Sequence, residues 1–347
     1  MARSFSASLK PPPDPVAGAV IGAIIRPIAG PIIGVDVGED FLDLAVLSVP
    51  AKALRMVRIA VIGVDRACDA QGIIANGSAA QPGIGDGDRA ICELQRRLLA
   101  AAPELNAGGA IVLIDSPRWP RDLHPALPAD DAVLGHGSAP PLASRAIDTV
   151  LRAIVRRLLL KKRDGAPFRL ALFPTPKLEF FAACARDPRC KPHLVAIARE
   201  LFGPTLEDTH AHPAPVGGRL FTRFMLTGFA IYSALEQTAA QCFEAYPDLA
   251  FRLWAHGEEI PPKSAGRTAL DARNRINRRL ADELHYPGAS KISTLDQADA
   301  AVLALSAAAA AERAGVIALI EQPGEGRFAL AMDPDQARRS GYAAQIK

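Results

Sequence analysis

Five acidic residues in four segments stand in or just after apolar runs, where an unpaired carboxylate is costly to bury. Asp36 ends the run IIGVD, Asp115 ends IVLID, Glu244 lies in CFEAYP, and Asp296 and Asp299 form the DxxD of LDQADAAVLAL. Carboxylates converging from different strands and a helix suit phosphodiester cleavage by two cations about 3.5–4 Å apart, one activating water and the other stabilising the leaving oxygen. An all-oxygen donor set favours Mg²⁺ or Mn²⁺. On this reading Asp36 bridges the metals and Asp115 faces it from a neighbouring strand. Asp299 and Asp296, three apart, complete the metal set from one helix face, where the dipole favours negative charge. Glu244 is a further catalytic ligand or orients water.

Each acid also has a purely structural reading. Asp115 precedes Ser116-Pro117 and suits a turn. Asp296 follows Ser293-Thr294 and suits the first turn of a helix. Glu244 can pair with an arginine of the helix that follows. Lys263 and Arg267, downstream of Glu244, are the candidates for substrate binding, clamping a scissile phosphate or neutralising charge. Aromatic residues make up only 5% of the chain and no basic run is interleaved with them. Contact with the backbone of a duplex or structured nucleic acid is therefore expected over stacking of single-stranded bases. GIGDGDRA lacks the Lys-Ser/Thr of a P-loop, and His210-Ala-His212 has no evident third ligand for zinc.

The elements that must hold these residues read as an α/β domain. IIGVDV, FLDLAVLSV and MVRIAVIGV are three apolar runs with tight breaks, which predicts an antiparallel meander. Residues 89–101 carry Ile91, Leu94, Leu98 and Leu99 on one helical face, and IVLID is a short buried strand. Residues 117–141 are proline-rich and irregular, 143–162 form a helix with a basic end, and FRLALFPT is a strand. Residues 177–240 read as helices and are expected to form an insertion or cap on the sheet. CFEAY is then a strand, 265–284 a helix crowded with arginine, and LDQADAAVLALSAAAAAERA an alanine-rich helix ended by Gly315. VIALIEQ and FALAM close the domain as a hairpin.

Composition sets the outer limits. The chain has 347 residues and is 49% hydrophobic, ample for a packed core. A net charge of +3, from 40 basic and 37 acidic residues, does not indicate a surface that binds polyanions globally. Five cysteines without metal or redox spacing read as reduced, mostly buried thiols, which fits a cytoplasmic location. The run AGAVIGAII is about half the ~20 residues that a membrane span needs, so no stable membrane association is expected. Residues 1–30 read as a frayed tail, 31–331 as the domain and 332–347 as a second tail.

The series GVDVG, VLIDSP, FEAYPDLAFRLW, PPKSAGRTALDARNRINRRL and LDQADAAVLALSAA resembles the family catalogued as domain of unknown function 429. Its members are predicted to be RNase H-like nucleases. The similarity spans about residues 31–331, and Arg145 and Asp148 match an arginine-aspartate element of the family. The resemblance implies an RNase H-like mixed sheet flanked by helices, with Asp36, Asp115, Glu244 and Asp299 as candidate ligands. The order β-β-β-α-β agrees with that fold. The chain departs from the family after the first strand, where GEDFLDLAV replaces a glycine-rich, tryptophan-containing stretch. Two other functions remain open: an ATP-using protein of the actin and sugar-kinase group, whose first phosphate hairpin IIGVDVGEDFLDLAV resembles, and a nucleic-acid-binding protein that has lost catalysis.

Overall fold

The computed structural model of the protein describes residues 20–23, 28, 30–38, 40–48, 50–61, 86–118, 146–162, 165–168, 192–202, 218–236, 238–313, 315–322 and 326–340. Among these residues eight strands form one mixed sheet: β1 (Val20–Ala23), β2 (Ile32–Val37), β3 (Phe41–Ser48), β4 (Ala53–Ala60), β5 (Ile111–Asp115), β6 (Gln241–Glu244), β7 (Val316–Gln322) and β8 (Gly326–Met332). Their order across the sheet is β1-β7-β8-β6-β5-β2-β3-β4. The expected meander is present, with β2, β3 and β4 paired antiparallel in succession. β5 lies parallel to β2 on its other side, and β6 and β8 continue the parallel centre.

Helices cover both faces. On one side lie α1 (Asp86–Ala101), α3 (Pro192–Phe202) and α4 (Gly218–Leu235). The other carries α2 (Ala146–Arg157), α5 (Pro247–Trp254), α6 (Arg267–Glu283) and α7 (Leu295–Glu312). Strand β2 sits at the centre of these layers and is buried along its whole length. Such two-sided burial is why its sequence is continuously apolar rather than alternating. Ile33, Val35 and Val37 face the α1/α4 layer, whereas Ile32, Gly34 and Asp36 face α7.

Helix α7 is buried all round, from Ala298 to Ala310, as expected of a helix without a polar stripe. Its alanines and Gly34 let two backbones approach closely. A Cβ on Gly34 would stand 2.0 Å from the Ala300 carbonyl oxygen. The start of α7 is fixed by Thr294, whose hydroxyl accepts the Gln297 N–H at 3.1 Å, while Gln297 Oε1 accepts the Ser293 N–H at 2.8 Å. Those contacts satisfy donors that a helix N-terminus otherwise leaves open.

Several expectations need adjustment. Val20–Ala23, expected in the tail, pairs with β7 as an edge strand, and α8 (Pro334–Ser340) occupies part of the expected C-terminal tail. The helix expected over 143–162 stops at Arg157, and Leu159 turns left-handed (φ 52°) behind it. Helix α4 falls within the segment expected as an insertion, yet it packs directly on the sheet with Ala230, Ile231 and Leu235 in the core. Gly315 is not a left-handed cap; it lies where a Cβ would meet the Met332 carbonyl oxygen at 2.3 Å. Cys92 is exposed rather than buried. Arg145, His210, His212 and most of FRLALFPT lie outside the described residues. Among the described residues no helix is long and apolar enough to cross a membrane.

Candidate functional site

Register alone assembles most of the site. Asp36 pairs with Asp115 across the parallel β2/β5 ladder and with Asp43 across the antiparallel β2/β3 ladder; Asp43 in turn pairs with Arg58 on β4. Directly paired residues project to the same face, so Arg58, Asp43, Asp36 and Asp115 form a row across four strands. The row lies at the carboxyl ends of β2 and β5. There the chain leaves β2 toward β3 on one side while β5 lies on the other, the kind of crevice where open α/β sheets bind ligands.

Helix α7 lies over this row and lowers Asp299 toward it. Asp36, Asp43 and Asp299 are 5%, 2% and 2% exposed. Lys263 enters from the turn before α6, and its Nζ lies 2.5 Å from Asp299 Oδ2. Gly266, with φ 55° and ψ −118°, makes the sharp junction from that turn into α6, a conformation that other residues adopt only with strain. Arg273 of α6 locks the turn from behind. Its Nη1 donates to the Pro261 carbonyl at 2.9 Å, and its guanidinium lies over the Phe251 ring. Arg273 Nε is 3.4 Å from Asp299 Oδ1, close enough for charge pairing but not aligned as a hydrogen bond.

Gathering acids under a helix raises their proton affinity. Burial, then the charges of Asp115 and Asp299, hold the Asp36 carboxyl well above its ordinary range, with Lys263 opposing. Burial and Asp299 push Asp115 up to about 8, and a hydrogen bond from Asp36 partly offsets this. Burial also raises Asp299, against the pull of Lys263 and Arg273. For Lys263, burial works against the charge, but Asp299, Asp36 and Asp115 outweigh it and hold the ammonium protonated. The site is thus a nest of carboxyls compensated by Lys263 and Arg273 at Asp299 and by Arg58 at Asp43.

Not every expected residue joins. Glu244 pairs with Ile114 rather than Asp115, so its side chain belongs to the opposite face of the sheet. It accepts the Arg118 N–H at 3.4 Å, and its charge still reaches Asp115. Arg267 points outward and pairs with Asp271 at 3.1 Å, away from the acids. Asp296 is exposed in the first turn of α7, and its charge acts on Asp36 and Asp299 from there.

Three residues in the site were not read from the sequence. Asp43 is buried and held by Arg58, which donates from Nε to Oδ1 at 3.0 Å and from Nη2 to Oδ2 at 2.6 Å. Period-two spacing from Phe41 through Asp43 to Ala45 was the available signal, since it separates Asp43 from Leu42 and Leu44. Arg58 is its neighbour by register. Arg273 is hidden among five arginines on one helix, and its helical spacing with Ala269, Ile276 and Leu280 marks the buried face.

The donor set fits a hard divalent cation in chemistry, being all carboxylate oxygen. Asp115 Oδ1 and Asp299 Oδ1 agree with the fit, since both are covered and neither has a hydrogen-bond donor among the described residues. Among the described residues no three acidic, histidine or cysteine side chains are placed to hold a metal ion, and the Lys263 ammonium stands beside Asp299. A cation there would share Asp299 with Lys263, which holds Oδ2.

No curated protein and no solved structure matches the chain. Residues 206–323 match the family model described as Protein of unknown function (DUF429). That stretch contains Glu244, Lys263, Arg273, Asp296 and Asp299, whereas Asp36 and Asp115 precede it. Over that stretch, about a third of the chain, the protein is similar to the DUF429 family.

Proposed function

We propose that this protein is an RNase H-like, metal-dependent nuclease that hydrolyses phosphodiester bonds of nucleic acid, acting in the reducing cytoplasm. The observation that carries the proposal is the meeting of Asp36, Asp115 and Asp299 under α7 at the carboxyl ends of two parallel strands. The succession β2-β3-β4-α1-β5 is the order that the fold requires. Mg²⁺ or Mn²⁺, when bound, supplies an activated water and charge stabilisation at the leaving oxygen. Asp36 and Asp115 would hold such a cation from the sheet, and Asp299 from α7. Asp296 adds negative charge at the exposed rim.

Lys263 has two tasks in this scheme. Without a cation it compensates the acids through Asp299. Released from Asp299, its ammonium is free to contact a phosphate oxygen, as a point charge on a flexible stem does. Arg273 keeps Asp299 in place throughout. Glu244, on the other face, reaches Asp115 through its charge.

The test is incubation of purified protein with Mg²⁺ or Mn²⁺ and a panel of DNA, RNA and hybrid substrates, beside Asp36→Asn and Asp299→Asn. Cleavage by the wild type that both variants lose supports the proposal. Absence of cleavage, or equal cleavage by the variants, sinks it. ATP hydrolysis that Asp36→Asn abolishes points instead to the ATP-using group.

A further inference from the structure

Phe41 is one of two large hydrophobic side chains exposed among the described residues, at 43%. It starts β3, two residues before Asp43, so both project to the sheet face that carries Asp36. Two residues along a strand span about 7 Å, which sets the ring at the edge of the carboxylate nest. Nothing in the core requires an aromatic residue there, since its strand partner on β4 is the exposed Ala60.

The guanidinium beside it is already positioned. Asp43, 2% exposed, grips Arg58 side-on through Nε and Nη2, and among the described residues no hydrogen bond occupies Nη1. The same guanidinium lies 5.4 Å from the centre of the Phe41 ring. This contact, together with the grip of Asp43, restricts both side chains before any ligand arrives. Arg58 is 40% exposed and stands on β4, the last strand in the sheet order.

We infer that Phe41 and Arg58 form a subsite for one unpaired nucleotide of a single-stranded nucleic acid, with the base stacked on the open side of the Phe41 ring and a phosphate oxygen on Arg58 Nη1. This rests on the nuclease reading for its ligand class and names the substrate form. Every base has a π-face, so such a platform accepts any sequence, but a paired base inside a duplex offers no free face. The inference therefore reverses the expectation of duplex backbone contact drawn from the low aromatic content. Of the two contacts, the ring is the larger contributor. The charge of Arg58 is already matched by Asp43 and faces the nearby acids, leaving mainly a hydrogen bond for the phosphate.

The test measures anisotropy of fluorescein-labelled oligo(dT), oligo(U) and a blunt duplex of equal length, with EDTA present to prevent cleavage. Phe41→Ala is expected to weaken binding of the single strands by roughly 5- to 100-fold, with Phe41→Trp restoring it and duplex binding unchanged. The oligo(dT) and oligo(U) arms distinguish DNA from RNA. Wild-type affinity in Phe41→Ala, failure of Trp to rescue, or preference of the wild type for duplex overturns the subsite. Failure of the nuclease reading is separable. Phe41-dependent binding without cleavage leaves the subsite standing and removes the activity; cleavage with Phe41-independent binding does the reverse.

Discussion

Gly34→Ala tests whether the close approach of α7 to β2 makes the site. The added methyl faces only backbone atoms: Ala300 O at 2.0 Å, Ala304 N at 3.0 Å and Ala300 C at 3.1 Å. Ordinary contact begins near 3.4 Å, and no side-chain rotation can relieve the clash. Because β2 is paired on both sides, α7 must lift, and the shortfall requires a displacement of about 1 Å or more. Overpacking of this kind costs about 1–3 kcal/mol, and an all-backbone clash belongs at the upper end. Asp299 is next to Ala300 and moves with it, and a misplacement of about 1 Å costs on the order of 100-fold in rate. The assay pairs urea unfolding with cleavage under conditions where the variant stays folded. Val35→Ala is the control: it removes buried volume on the opposite face, costs roughly 1–3 kcal/mol, and leaves α7 seated. Gly34→Ala is expected to lose about 100-fold in cleavage and Val35→Ala little. Equal losses in the two variants, or a Gly34→Ala protein of normal stability and activity, would refute the reasoning.

Three other outcomes follow from the same geometry. Asp115 holds its proton up to about pH 8 in the folded protein, against an ordinary value of 3.8. Between those values the folded state binds the proton that the unfolded state has released, so stability falls as pH rises across the window. In EDTA, thermal melts should show Asp115→Asn stabilising the protein at pH 8 and leaving it nearly unchanged at pH 5. Lys263→Met removes the tethered cation; it should lower the melting temperature in EDTA at pH 8 and much less at pH 5, where Asp115 is neutral. Arg273→Met leaves Asp299 facing a buried gap, and loss of one partner of a buried charge pair costs about 3–5 kcal/mol by urea denaturation.

Much of this arrangement was legible from residue types. Asp36 and Asp115 stood out because each ends an apolar strand, and parallel pairing then placed them side by side. Asp299 was marked as a charge inside an otherwise apolar helix. Glu244 was misjudged because its strand has four residues, and with a period of two a single-step difference in register exchanges faces. Asp43 was overlooked within FLDLAVLSV, which reads as one apolar run until its alternation is resolved. Val20–Ala23 looked like a tail because its partner, β7, lies nearly three hundred residues further along, a pairing that no local pattern encodes. The role of Gly34 also depended on what packs above it, and propensity alone says nothing of that.

The central claim is that Asp36, Asp115 and Asp299 hold one divalent-cation site that Lys263 occupies in its absence. Calorimetric titration of Mn²⁺ into the wild type, Asp36→Asn, Asp299→Asn and Lys263→Met tests it most directly, with Glu104→Gln as control, since Glu104 pairs with Arg55 outside the row. The account predicts saturable binding that tightens as pH rises toward 8 with release of protons. Each Asp variant should bind at least tenfold more weakly, Lys263→Met more tightly, and the control unchanged. No saturable binding by the wild type, or equal binding by the two Asp variants and the control, would contradict it.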